Sequence, residues 1–334
     1  MKKHIFPLFI IAAAFSSSFS VQAVEMTDSA ASKPQVYFTS DIFPEGLLEV
    51  YHALGVKPEG KVAVKISTGE SSKSNHLSPE LIGPLVKELE GTLVECNTAY
   101  GGNRSTTADH RRAIAERGYL TIADVDIMDE EGHIDLAVSD TTYLKFNRVG
   151  SHLANYDYLV NLAHFKGHAM GGFGGVIKNQ SIGIATPEGK TLIHTAGAYE
   201  DTAHLFEQPH GQDAFLESMA VAAKSVHDYF GGKVIYINVM NNLSVDCDCN
   251  GHPHTPRMKD VGILASLDPV ALDKACLDMV FDLPSSEGDD HAPLIERINS
   301  RHGTHTVDHA ARIGFGSLDY ELVDISREAT PENK

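Results

Sequence analysis

Short runs in which nearly every residue is apolar, many of them β-branched, punctuate the chain at residues 36–39, 62–66, 93–96, 158–162 and 234–239. Such runs predict strands covered on both faces. Between them, apolar residues recur at helical spacing. Ser78-Pro79-Glu80 places an N-cap and a first-turn proline ahead of a helix to about residue 90. Residues 107–117 read as a helix stopped by Gly118, and residues 212–230 as one stopped by Gly231-Gly232. Asp268-Pro269 opens another through Val280. Strand–helix alternation predicts an α/β fold, with a central mostly parallel or mixed sheet flanked by helices. Residues 167–189 and 246–259 carry no such period. Rich in Gly, Pro, His and Cys, they read as long irregular loops, which in a compact α/β domain are functional or disordered.

The N-terminus predicts an address label. Lys2 and Lys3 precede an apolar stretch over residues 5–15, then a Ser-rich region and Val21-Gln22-Ala23, whose small residues suit cleavage after Ala23. The stretch is well short of the ~20 residues that span a bilayer. Residues 1–23 are therefore expected to be a signal peptide, 24–33 a flexible lead-in, 34–326 a single α/β unit and 327–334 a tail. The mature product is expected to be periplasmic or secreted, with no membrane span. Composition narrows the partners. The chain of 334 residues holds 45 acids against 27 Lys plus Arg, a formal charge of −18. That surface repels phosphate backbones and excludes nucleic-acid binding as the main role. Four cysteines are too few for a disulfide scaffold, and 18 histidines keep metal chemistry open.

Chemistry concentrates in three stretches. The first, His164-Phe165-Lys166-Gly167-His168 through Gly171-Gly172-Phe173-Gly174-Gly175 to Lys178-Asn179, follows the strand at 158–162. In α/β sheets ligands gather beyond carboxyl strand ends. Its glycines let backbone approach a bound group, while histidines and lysines supply ligands, acid–base groups or anion contacts. It matches neither a Walker loop nor a dinucleotide fingerprint. The plainer reading is a glycine-rich crossover with solvated bases. Pro187-Glu188-Gly189 reads as a turn that folds His194 back toward this loop. The second stretch, Cys247-Asp248-Cys249 with His252 and His254, offers thiolates and imidazoles to a soft or borderline metal. A disulfide and a plain turn are the competing readings. The third, Asn97-Thr98-Ala99-Tyr100-Gly101-Gly102-Asn103-Arg104 with His110, is a donor-rich mouth suited to an anion, or else an ordinary polar loop. His305 and His309 share a helix face, where ordinary packing is the simpler reading.

In their order, the Asn97–Arg104 run with His110, the run from Phe165 to Asn179, Cys247-Asp248-Cys249, and Asp260-Val261-Gly262 through Asp268-Pro269 to Asp273 resemble the family called domain of unknown function 362. Its members often carry a ferredoxin-like insert and an iron–sulfur label. This chain has no Cys between Gly183 and Gly211, so no iron–sulfur cluster is expected. A shorter stretch is similar to nickel-pincer lactate racemases. His168, Lys178 and His194 stand at spacings of 10 and 16 residues, where that resemblance implies a lysine bonded to the pincer nucleotide and a histidine on nickel.

The expectation is an exported, metal- or cofactor-dependent enzyme acting on a small anionic substrate by redox or proton-transfer chemistry, an oxidoreductase or an isomerase. The alternative is a non-catalytic extracytoplasmic protein that binds a metal or small molecule. His168, Lys178 and His194 are the expected catalytic residues. Asn97, Tyr100, Arg104, Lys166 and Asn179 are the expected substrate contacts, and Cys247, Cys249, His168 and His194 the expected ligands of a transition metal. The substrate, the metal and the oligomeric state are not legible. The intact mass of the native protein should place its N-terminus at Val24; retention of Met1 would contradict export.

Overall fold

All five predicted strands lie in one eight-stranded sheet. The computed structural model describes residue 1 and residues 32–327. The rest of the predicted signal peptide, residues 24–31 of the lead-in and residues 328–334 of the tail lie outside the described range. The strands are β1 (Gln35–Thr39), β2 (Val62–Lys65), β3 (Thr92–Glu95), β4 (Val125–Ile127), β5 (His133–Leu136), β6 (Asn147–Gly150), β7 (Tyr158–His164), β8 (Lys166–His168), β9 (Gly172–Gly174), β10 (Val234–Met240), β11 (Gly262–Ser266) and β12 (Glu321–Asp324). The helices are α1 (Pro44–Ala53), α2 (Pro79–Glu88), α3 (Thr107–Glu116), α4 (Val176–Ser181), α5 (Pro187–His194), α6 (Gly211–Tyr229), α7 (Pro269–Asp282), α8 (Ala292–Ser300) and α9 (His305–Arg312). Among the described residues, no helix is long and apolar enough to cross a membrane.

The sheet runs β12-β1-β11-β10-β7-β2-β3-β4. Its pairs are parallel except where β11 meets β1 and β10, so the sheet is mixed by one reversed strand. Burial on both faces explains the continuous apolar runs. In β10, Val234, Tyr236 and Met240 face a core shared with α4, α6 and α7, while Ile235, Ile237 and Val239 face one shared with α1 and α2. Capping follows the sequence. Ser78 accepts from Leu81 N at the start of α2, and Asp268 accepts from Val270 N and Ala271 N at the start of α7.

Residues 167–189 are not an irregular loop. Lys166 through Gly174 form the β8–β9 hairpin, with Gly167 paired to Phe173, and two helices follow. Pro187-Glu188-Gly189 is the first turn of α5, not a free turn: Thr186 accepts from Gly189 N, the same cap-then-proline signal that opens α2. Both helices escaped the period reading because they are short and nearly every side chain on them is buried, which leaves no polar face. Lys178 and Asn179 therefore ride on a helix.

A helix of six residues does not sustain itself, because nucleation costs more than so few bonds return. Polar groups from neighbouring elements hold α4. The Asp273 carboxylate, on α7, accepts from Val176 N at 2.9 Å and Ile177 N at 3.1 Å, and Asn238 Nδ2 donates to it at 2.8 Å. Gly175 makes room: a Cβ there would lie 2.2 Å from Asp273 Oδ1. On β7, Asn161 Nδ2 donates to Val176 O at 2.8 Å and Asn161 Oδ1 accepts from Asn179 Nδ2 at 2.7 Å. Asp273→Ala would strand two backbone N–H groups and an amide in a dry interior. It should lower unfolding stability by roughly 2–4 kcal/mol in urea denaturation, and Asp273→Asn by about half as much, since an amide oxygen still accepts. An unchanged midpoint for Asp273→Ala would contradict the capping role.

Candidate active site

Because β2, β3, β7 and β10 are mutually parallel, their carboxyl ends share one edge of the sheet. The chain leaves β2 outward to β3 and β4, then returns on the other side of β2 to build β7 and β10. That reversal opens a crevice between β2 and β7, where α/β folds gather ligands. A cavity of about 340 Å³ lies there. Lys65 and Glu95 are the last residues of β2 and β3, and Lys166 follows the end of β7. Arg104 comes from the loop after β3, Lys178 from α4, and Lys190 and His194 from α5; all of them line the cavity.

Most of these charges are already paired. Glu95 accepts from Lys65 Nζ at 3.1 Å, from Arg104 at 3.4 Å and from Thr68 N at 2.7 Å. Burial alone would raise its pKa, but Lys65, Arg104 and His110 outweigh it and bring the carboxyl down to about 2. Asp248 accepts from Lys166 Nζ at 2.7 Å and His164 Nδ1 at 2.8 Å, and against the effect of burial these hold it well below the usual carboxylate range. Arg104 also bonds Glu70 at 3.2 Å and Tyr100 Oη at 3.0 Å. Its guanidinium is thus engaged by protein groups and positions the mouth more than it grips a ligand.

Lys178 differs. Among the described residues its ammonium has no carboxylate within ion-pair distance. Burial, and then the Lys166 charge, push its pKa down to about 7. Lys190 donates to Ala185 O, and burial lowers its pKa too.

The two cavity histidines present opposite faces. His168 Nδ1 accepts from Gly171 N at 2.9 Å and from Met170 N at 3.3 Å, so the neutral ring carries its proton on Nε2 and offers an N–H. His194 Nδ1 donates to Lys190 O at 2.7 Å, which leaves the Nε2 lone pair free. Burial holds both neutral at pH 7, His194 near 4 and His168 well below its ordinary value, with Lys178 adding to the effect. His194 is also fixed by stacking on Phe215, with ring centroids 4.9 Å apart.

The expected metal set is not assembled as such. Cys247 and Cys249 are joined in a disulfide, and a disulfide offers no thiolate to a metal. Their sulfurs and a His168 nitrogen lie within 4.8 Å of one another, a cluster to which His194 does not belong. The His168 Nδ1 lone pair is already taken by Gly171 N and Met170 N, and Nε2 carries the proton of the neutral ring, so His168 has no free lone pair for a metal in this orientation. His194 Nε2 is the nitrogen that fits a metal as it stands. Reduction of the cysteine pair would add two thiolates, one of them, Cys249, on the cavity wall. Asp248, the middle residue of the ring, is the Lys166 partner.

Of the expected substrate contacts, Tyr100, Arg104, Lys166 and Asn179 line the cavity and Asn97 does not. The Asn97 amide is engaged by Thr107 Oγ1 at 3.0 Å and His110 Nδ1 at 3.2 Å, which makes it a brace for α3. Sequence reading assigned no role to Lys65, Glu95, Lys190 or Asp248. Lys65 carried a signal, a lone charge within an apolar run that predicts a strand buried on both faces. The apolar wall of Met170, Ile182, Leu205 and Phe206 carried none.

The family model for a domain of unknown function (DUF362) matches residues 62–278, and the chain belongs to that family. No curated protein matches it significantly. Among solved structures, the chain is similar to a protein from Thermotoga maritima, at 13% identity and a TM-score of 0.43, over 70% of this chain and 57% of that one. It is also similar to the lactate racemase apoprotein from Thermoanaerobacterium thermosaccharolyticum, at 13% identity and a TM-score of 0.39, over 87% of this chain and 83% of that one. The chain thus spans little more than half the length of the Thermotoga maritima protein. At that distance neither neighbour bears on the chemistry of the cavity.

The Glu95 cluster makes a pH prediction. A carboxyl depressed from 4.5 to about 2 stabilises the fold above pH 4.5, and that contribution is lost as pH falls from there toward 2. Glu95→Gln should cost on the order of 3 kcal/mol at pH 7, and the gap from wild type should close as pH falls through this window. A gap in urea midpoints that is the same at pH 7 and pH 3 would contradict the ion-pair account.

Proposed function

We propose that this family member is a metal- or cofactor-dependent enzyme, an oxidoreductase or isomerase, that moves a proton or hydride on a small anionic substrate outside the cytoplasm. The observation that carries the reading is the Lys178 amine: without a carboxylate partner among the described residues, pushed down to about 7 by burial and the Lys166 charge, and in one cavity with a histidine that donates and a histidine that accepts. A base poised near the working pH combines useful basicity with a populated free form. The same depressed amine is a nucleophile or covalent anchor. His168, neutral with its N–H free, suits a substrate carbonyl or carboxylate oxygen. The lone pair of His194 suits either a proton or a metal.

A transition metal at His194 would polarise a bound oxygen. The chain's own contribution is then orientation: Lys166, held by Asp248, anchors the anion, and Lys65, whose ammonium is taken by Glu95, Asn179 and Ile66 O, holds the floor of the site in place. Lys178 approaches from α4, and the apolar wall excludes water. Supporting the anionic substrate is the sign of the site, a cluster of cations in a chain whose formal charge is −18.

Two readouts test this on protein purified from its native source. Deuterium incorporation from solvent into a panel of 2-hydroxy and 2-oxo acids, followed by proton NMR, should rise with pH through about 7 as Lys178 loses its proton. Lys178→Met should lower it by about 10²–10⁴-fold, with stability changed by no more than roughly 1 kcal/mol. Elemental analysis should find a transition metal that His194→Ala loses. Binding without any exchange, or exchange indifferent to Lys178, would favour the non-catalytic binding protein.

A further inference from the structure

We propose that the ligand of this cavity carries two negative charges on one head group, joined to an apolar body. This rests on the anion-binding reading of the same site and specifies the class of anion.

The charge follows from counting what is left over. Lys65, Arg104, Lys166, Lys178 and Lys190 line the cavity, and their carboxylate partners are Glu95, Asp248 and, beside the mouth, Glu70, which leaves two basic side chains over. Each of those carboxylates is bonded to a lysine or arginine, so the excess resides on Lys178 and Lys190. Asp129, the next acid toward Lys190, does not line the cavity and accepts from Asn97 N at 3.0 and 3.2 Å. With Lys178 and Lys190 both protonated, the cavity lacks two negative charges. Lys166 and Lys178 converge: their stems flank Gly174, where a Cβ would meet Lys178 Cδ at 3.6 Å and Lys166 Cε at 3.8 Å. The Lys166 charge opposes protonation of Lys178, and an anion bound beside them relieves that repulsion. Lys178 and Lys190, the two lysines left over, open onto one cavity of about 340 Å³, which admits a compact head group bearing both charges but not a long molecule with a carboxylate at each end.

The body follows from the wall. Lys65, Lys166 and Lys190 are nearly buried, while Phe206 at the rim is 70% exposed. Met170, Ile182 and Leu205 continue the apolar surface inward from it. An aromatic ring left in water beside a charged floor gains from a ligand that covers it. A small inorganic anion would fill the floor and leave that wall wet. The volume, about 340 Å³, is at the lower end for small-molecule sites (roughly 300–1,000 Å³), which limits the body to something near the size of one ring.

Isothermal titration calorimetry of the full-length protein at pH 7.5, in two buffers of different ionisation heat, tests this with four probes: phenyl phosphate, phenylmalonate, benzoate and inorganic phosphate. At least one of the two aryl dianions should bind ten-fold or more tighter than benzoate and than inorganic phosphate, the better of the two identifying the head group. Its binding should take up roughly half to one proton, because the anion restores the charge on Lys178. Phe206→Ala, at an exposed position where folding is safe, should weaken the aryl dianion about ten-fold through the lost apolar contact and leave inorganic phosphate within two-fold. Lys178→Met should abolish the proton uptake. Benzoate binding as tightly as both aryl dianions would overturn the double charge, and Phe206→Ala without effect would overturn the apolar body. Neither result touches the catalytic reading, which fails only on its own exchange and metal measurements.

Discussion

The cavity depends on a buried carboxylate that holds one end of a very short helix. Helix α4 has six residues, too few to form alone, and its N-terminal N–H groups would be stranded in a dry interior without Asp273. Burial pushes the Asp273 carboxyl up to about 6, a sign of how apolar its surroundings are. The arrangement persists because Asn238 and two backbone donors share the load. With α4 fixed from α7 on one side and from Asn161 on the other, Lys178 lines the cavity in the crevice between β2 and β7.

The same logic runs through the rest of the site. Cations that a small cavity would otherwise expel are kept by carboxylates placed beside them: Glu95 for Lys65 and Arg104, Asp248 for Lys166. Asp248 sits inside the Cys247–Cys249 ring, and its backbone oxygen accepts from Glu70 N at 2.8 Å. Glu70 in turn holds Arg104. Close approach makes this possible: a Cβ on Gly167 would fall 2.5 Å from Val245 O, so only glycine lets the cysteine loop lie against the β8–β9 hairpin. Among the described residues, two lysines are left without such partners, and the two histidines are held neutral with opposite hydrogen-bonding sense. The structure spends its acids on positioning and leaves Lys178 reactive.

Much of this was legible in the order of residues, for identifiable reasons. Strands buried on both faces announce themselves as unbroken apolar runs, so β1, β2, β3, β7 and β10 were predictable. Strand β11 is an equally buried run that was passed over, and its reversed direction is set by pairing between distant segments, which no local pattern reveals. Helices α4 and α5 were lost because a period needs a polar face and these have almost none. His168, Lys178 and His194 could be named from their place after a strand, and they do line one cavity. What sequence could not supply was the state of each group. Whether His168 offers a proton or a lone pair depends on Gly171 N, and Asn97 is withdrawn from the mouth by His110. Lys65 and Glu95 join the site through three-dimensional pairing across neighbouring strands.

The central claim, an unpaired Lys178 amine poised near neutrality, is open to direct observation. Heteronuclear NMR of protein labelled at the lysine ε-carbons, with Lys178→Met to assign the resonance, would follow its titration. The account predicts a midpoint near 7, more than three units below the ordinary lysine value of 10.5. A Lys178 that titrates near 10.5 would mean that the amine is paired or solvated, and the reading of the cavity as a site built around it would fail.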